Sequence, residues 1–249
     1  MMLNIFRKKQ SPLYLGDTVS SSKIDYVMSL KMEADDKDRY LDIGTGNDEA
    51  ERFTTVDIDT GVGADIVGDI RCLFAASDYY RDKRKDYPDL DIIASGRYIV
   101  VRLKHIIEHI EWIYHQTMFE WLYGIIAPGG IAVIDTPNLD YIVKLYSKAA
   151  GLAGEQRPFK FPANEYNGLK NGSWVDLIRW TQFKLFSGCS PGDFHHACLN
   201  RVILFHYLSS VGFEPVAFCN DETLRAIAYK PTQDSDDMDA RIDKYVKGE

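Results

Sequence analysis

The chain has no run approaching the ~20 consecutive apolar residues that a membrane-spanning helix needs, so no membrane partner is expected. Its first ten residues, MMLNIFRKKQ, lack the apolar core of a secretory signal, which makes the cytoplasm the expected compartment. Cysteine is sparse: Cys72, Cys189, Cys198 and Cys219 are widely spread and include no C-x-x-C pair of the kind zinc ribbons use. Free, buried thiols are the expected state. Positive charge is also short, with 29 Lys and Arg against 37 Asp and Glu for a formal net charge of -8. Such a chain repels phosphate backbones, which argues against broad nucleic-acid binding driven by counterion release. The densest basic stretch, YRDKRKDY at 80–87, is broken by acids and reads as a solvated surface. No internal repeat is visible.

What is present suits a folded α/β domain. At 249 residues, 45% hydrophobic and 27% charged, the chain can bury a substantial core and does not have the composition of a disordered protein. Residues 1–38 form a basic start and a serine-capped helix in SSSKIDYVMSLKM, with Ile24, Val27, Met28 and the stem of Lys31 on one face. Short strands are expected at RYLDI (39–43), FTTVDI (53–58) and ADIV (64–67), rich in β-branched and aromatic residues. For the fourth strand DLDIIA (89–94) and RYIVVRL (97–103) compete, and the second is preferred because a helical pattern follows it directly. That pattern, HIIEHIEWIYHQTMFEWLYGII from 105, reads as a helix that Pro128-Gly129-Gly130 stops. IAVIDT then reads as a strand buried on both faces.

From about 139 to 200 the periodicity weakens and Gly, Pro and Asn accumulate, as in an inserted lid. Tyr141, Tyr146, Phe159, Phe161, Tyr166, Trp174, Trp180 and Phe183 crowd this stretch and read mostly as its own core. LNRVILFHYLSSVGF is an amphipathic helix ended by Gly212, and EPVAFCN and TLRAIAYK are strands suited to antiparallel pairing. The tail, 231–249, is acidic and poor in core residues. The domain proper therefore spans 39–230. Strands alternating with helices predict an α/β fold: a doubly wound, mostly parallel seven-stranded sheet with an antiparallel last hairpin strand and an inserted lid. Ligands of such sheets sit beyond the carboxyl ends of the strands, which groups Gly44, Asp57, His105 and 135–138 on one rim.

The segment LDIGTG places two glycines directly after a strand, where main chain can approach a flat ligand without side-chain obstruction. A dinucleotide fingerprint would require a third glycine at position 49, which is Glu49, preceded by Asp48. Two carboxylates there are hostile to a pyrophosphate and compatible with a cationic nucleoside such as S-adenosylmethionine. Asp57, with Asp59 in reserve, could accept hydrogen bonds from both hydroxyls of a ribose, and Asp69 is placed to meet an adenine amino group.

YLDIGTG, TTVDIDTGVGADIVGDI, LKHIIEHI, GIIAPGGIAVIDTPN and FHYLSSVGFEPV together resemble, in order and spacing, class I S-adenosylmethionine-dependent methyltransferases over about 39–138 and 200–230. The resemblance implies that Asp42, Gly44 and Gly46 form the loop on the methionine side and that Asp57, beside Ile58, holds the ribose. It implies adenine contacts from Asp69 and Ile70, and places Lys104 and His105 near the cofactor at the end of the fourth strand. The chain departs from the wider family in having Asp48 at the third loop glycine and YIVV where a strand end often carries an acid. Residues 44–53 are also too few for a full crossover helix, a compression shared by the branch it resembles.

His105, His195 and His196 are the candidates for taking a proton from an acceptor, although His195 and His196 also read as helix-entry residues. Alignment of acceptor and methyl carbon can dominate such a reaction, with or without a base. Thr136 and Asn138 are candidates for touching the acceptor. HIIEH matches the H-x-x-E-H pattern of inverted zinc peptidases, with His105 and His109 on one helical face, yet no third ligand can be chosen and no metal is expected. The expected activity is methyl transfer to a small-molecule or sugar-like acceptor, with oligomeric state open. The alternatives are a non-catalytic methyltransferase-like subunit and a zinc hydrolase.

Overall fold

The computed structural model describes residues 16–32, 39–46, 51–93, 96–152, 194–214 and 216–232. The strands are β1 (Asp17–Thr18), β2 (Tyr40–Ile43), β3 (Thr54–Asp57), β4 (Ile66–Val67), β5 (Tyr98–Lys104), β6 (Ile126–Pro137), β7 (Val216–Asn220) and β8 (Thr223–Tyr229). They form one eight-stranded sheet in the order β1-β7-β8-β6-β5-β2-β3-β4. Setting aside the two-residue edge strand β1 leaves the expected seven. Pairing is parallel from β4 through β6, while β8 runs antiparallel to both β6 and β7.

Alternation along the strands explains why they read as continuous apolar runs. Leu41, Ile43, Val101, Leu103, Ala132 and Ile134 enter the larger core on one face. Tyr40, Val100, Ile131 and Val133 enter a second core on the other. Both faces are dry, as in sheets flanked by helices on each side.

Helix α1 (Ser21–Lys31) covers the second face, capped by the Ser20 hydroxyl, which accepts from Lys23 N, and burying Ile24. Helix α2 (Arg71–Phe74) and helix α3 (Asp78–Lys83) follow β4 as short pieces. Helix α4 (His115–Ile125) covers the first face through Met118, Phe119, Leu122 and Ile125, spaced at i, i+1, i+4 and i+7 on one stripe. Helix α5 (Leu139–Leu152) leaves the sheet after β6. Helix α6 (Arg201–Ser210), capped by the Asn200 side chain, packs Leu204 and Leu208 beside α4. Among the described residues no helix is long and apolar enough to cross a membrane.

Several expectations change. The fourth strand is the RYIVVRL segment, and DLDI lies in a 3-10 turn, Pro88–Ile92. The long helix predicted from 105 is replaced by two 3-10 turns, Ile107–His109 and Trp112–Tyr114, before α4 begins at His115. Ile107 and Ile110 are both buried, and i, i+3 spacing suits a 3-10 turn as well as an α-helix. Ile110 and Glu111 are extended, which breaks the helix between the turns. α4 ends at Ile125, and Pro128-Gly129-Gly130 lies within β6, which starts five residues before IAVIDT. Six of the eight aromatics named for the insertion (159–183), together with Cys189, Asp48, Glu49 and the tail from 233, lie outside the described residues.

Candidate active site at the strand ends

The chain runs outward from β2 to β3 and β4, then returns to place β5 on the other side of β2. Such a reversal marks the usual ligand position in open α/β sheets, here beyond the carboxyl ends of β2 and β5. Gly44 and Gly46 occupy it with φ of 79° and 56°. A side chain at Gly44 would collide with Ile106 and come within 2.8 Å of the Lys104 carbonyl, so glycine there lets the ends of β2 and β5 meet. At Gly46 nothing among the described residues lies within 4 Å of where a Cβ would be. That main chain borders open space.

The three acids assigned to a cofactor have different partners. Asp57 ends β3 with its carboxylate toward the glycine turn: Oδ2 accepts from Gly46 N at 3.0 Å and Oδ1 from Asp59 N at 2.9 Å. No cation pairs with it among the described residues, and each oxygen keeps a further lone pair for a ligand. Ile58 beside it is exposed. Asp59 is engaged in capping the turn Thr60–Val62 through Gly61 N.

Asp42 is fully buried and gripped by Arg102, whose Nε and Nη2 reach its two oxygens at 2.7 and 2.5 Å. Asp69 is also buried, and its carboxylate accepts from Arg71 N, Nε and Nη2 and from Lys83 Nζ at 2.9–3.2 Å. Burial pushes the Asp69 carboxyl up, but the Arg71 and Lys83 hydrogen bonds more than offset this and hold it below the ordinary carboxylate range. Its four internal bonds secure the β4–α2 corner, and Ile70 next to it is buried. Asp69 has four donors on its two oxygens, and Asp42 is fully buried, so both brace the fold in this arrangement.

On the β5 side, Lys104 and His105 line a cavity of about 530 Å³ with Arg102, Asp135, Asp221 and Arg225 among its walls. Arg225 bridges Asp135 at 2.7 Å and Asp25 of α1 at 2.9 Å. The lining is thus strongly polar, with both signs of charge.

His105 is the described non-glycine residue with positive φ, 52°, and its amide donates to the Asp135 carbonyl at 2.8 Å. Its Nδ1 lies 3.0 Å from Oε1 of Glu108. Glu108 is 1% exposed, and its Oε2 accepts from the Thr136 hydroxyl at 3.1 Å. Desolvation pushes its carboxyl up, while the His105 contact leads the effects that bring it below the ordinary range. The carboxylate accepts from His105 Nδ1–H, which fixes the orientation of the ring.

His195 is half-buried and His196 exposed, and the His196 amide donates to the Glu108 carbonyl at 2.7 Å. The segment from 194 is thereby tied to the end of β5. Thr136 and Asn138 are 0% and 1% exposed and bond internally, Asn138 to Asn220 and Asp221, which corrects the expectation that they face an acceptor. The shared helical face of His105 and His109 is likewise absent, because the backbone between them is not α-helical. A bracing role for Glu108 was expected, though within a helix; the cation partners of Asp42 and Asp69 were not anticipated from sequence. An Arg two residues after Asp69 was the available local signal.

Neither a family model nor a curated protein matches the chain. Among solved structures it is similar to a SAM-dependent methyltransferase from Archaeoglobus fulgidus, at 13% identity and a TM-score of 0.48, covering 84% of this chain and 93% of that one. It is also similar to the CurJ carbon methyltransferase, at 16% identity and a TM-score of 0.43, covering 84% of this chain and 54% of that one. Phosphoethanolamine N-methyltransferase 2 from Haemonchus contortus, in complex with S-adenosyl-L-methionine, is similar at 12% identity and a TM-score of 0.44, covering 87% of this chain and 54% of that one. The chain spans about half the length of these last two. By its own strand order and directions the chain has a Rossmann-like α/β fold.

Proposed function

We propose that the chain is an S-adenosylmethionine-dependent methyltransferase acting on a small, polar acceptor. The observation that carries this reading is the pairing of open main chain at Gly46 with the Asp57 carboxylate turned toward it. Asp57 holds the two ribose hydroxyls, Ile58 offers an exposed apolar surface to the base, and Gly44 and Gly46 let the methionine end lie along the turn. Asp42 and Asp69 act from behind, fixing the strand end and the β4–α2 corner through Arg102, Arg71 and Lys83.

Bound S-adenosylmethionine supplies a methyl carbon already activated by its sulfonium, so the protein's chief task is alignment of the acceptor in line with it. The mixed-charge cavity beside Lys104 and His105 suits an acceptor that is itself polar or charged, and its volume lies in the range of small-molecule sites. His105 Nε2 takes the acceptor's proton, and Glu108 fixes the ring and stabilises the imidazolium that results.

Calorimetric titration with S-adenosylhomocysteine tests the cofactor half of the proposal. Saturable 1:1 binding is expected for the native chain, with a tenfold or greater loss for Asp57→Ala, about 1.4 kcal/mol or more, and little change for His196→Ala. Absence of binding, or equal affinities for the two variants, contradicts it.

A further inference from the structure

Glu108, His109 and His195 bring one carboxylate oxygen and two imidazole nitrogens within 4.8 Å of one another. We propose that these three side chains form a binding site for a divalent first-row transition cation of the zinc class. The donors come from two separate stretches of chain, the turn after β5 and the segment before α6. The backbone already joins those stretches, because Glu108 O accepts from His196 N at 2.7 Å and from Ala197 N at 3.2 Å.

The surroundings of each donor match what metal ligands need. His109 Nδ1 lies 3.3 Å from the Phe194 carbonyl, a partner of the kind that fixes the ring and tautomer of a metal-ligating histidine. Glu108 is oriented by His105 and Thr136. The His109 and His195 rings meet edge to face with centroids 4.9 Å apart. A tetrahedral zinc site with bonds of ~2.1 Å sets its donors about 3.4 Å apart, which requires the three groups to close by roughly an ångström.

Two imidazoles and one carboxylate favour zinc or its neighbours over magnesium or calcium, which prefer oxygen ligands. Three protein ligands leave a fourth position for water or for an oxygen of the acceptor. This ligand set differs from that of the H-x-x-E-H peptidase pattern, where the two histidines are ligands on one helix and Glu is not. The inference does not depend on the methyl-transfer reading, and it attaches no hydrolytic activity to the site.

The test uses the full-length chain stripped with a chelator, titrated with zinc chloride by calorimetry and with cobalt chloride by visible absorption. One equivalent of metal is expected, with tetrahedral or five-coordinate cobalt bands. His109→Ala and His195→Ala should each weaken zinc binding by about a hundredfold, with far-ultraviolet circular dichroism confirming the fold, while exposed His206→Ala leaves it unchanged. Absence of stoichiometric binding by the native chain overturns the proposal. So does undiminished binding in a folded His195→Ala variant.

Discussion

Asp57 and Asp69 are the same residue type at neighbouring strand ends, and their surroundings differ sharply. Asp69 is 3% exposed and held by a guanidinium and an ammonium, whereas Asp57 is held by two main-chain N–H groups beside open space. An acid saturated by cations fixes the backbone around it, and one held by backbone amides keeps capacity for a ligand. Position at the sheet rim does not by itself distinguish a binding carboxylate from a bracing one. The identity of its donors does.

The largest effect expected from breaking this contrast is on stability. Asp69→Ala strands Arg71 and Lys83 beside an emptied, buried position and should cost about 3–5 kcal/mol in urea unfolding. The sign with pH follows from the lowered carboxyl: its folded-state pKa lies below the ordinary value of 3.8, so its stabilising contribution is complete above that value. The difference between native protein and Asp69→Ala should therefore persist at neutral pH and shrink as pH falls below about 4.

Next in size, Gly44→Ala forces a left-handed backbone on a residue with a Cβ and drives it against Ile106 and the Lys104 carbonyl. A loss of about 2–4 kcal/mol is expected from strain and overpacking together. Asp57→Ala should show the reverse pattern to Asp69→Ala, with about 1.5 kcal/mol or less lost from stability and most of its effect on cofactor affinity. Smallest is Gly46→Ala, which meets no neighbour and should cost only the conformational strain, about 1 kcal/mol. If Gly46→Ala nevertheless weakens S-adenosylhomocysteine binding several-fold in calorimetry, it marks the open space as the ligand's position.

The sheet was largely legible in the sequence because its strands are short apolar runs punctuated by Gly, Asp and Asn, and because a helical pattern separates β5 from β6. Edge strand β1 was not, since Asp17 and Thr18 carry no strand signal and are ordered by pairing with Ala217 and Phe218. The helix expected from His105 failed because apolar spacing of three is common to α and 3-10 turns, and a left-handed His105 leaves no trace in composition. The rim itself was foreseen, with Gly44, Asp57, His105 and 135–138 at the ends of β2, β3, β5 and β6. The division of labour among its acids was not, because Arg102 reaches Asp42 across 60 residues of chain. Nor could spacing reveal that His195 comes to rest against His109.

The most direct test is a crystal structure of the chain with S-adenosylhomocysteine. The nucleoside should lie over Gly44 and Gly46, with both ribose hydroxyls within about 3.0 Å of the Asp57 carboxylate and Asp69 still bound to Arg71. A nucleoside seated elsewhere, or a ribose that ignores Asp57 while Asp69 releases Arg71 to meet it, would contradict the account.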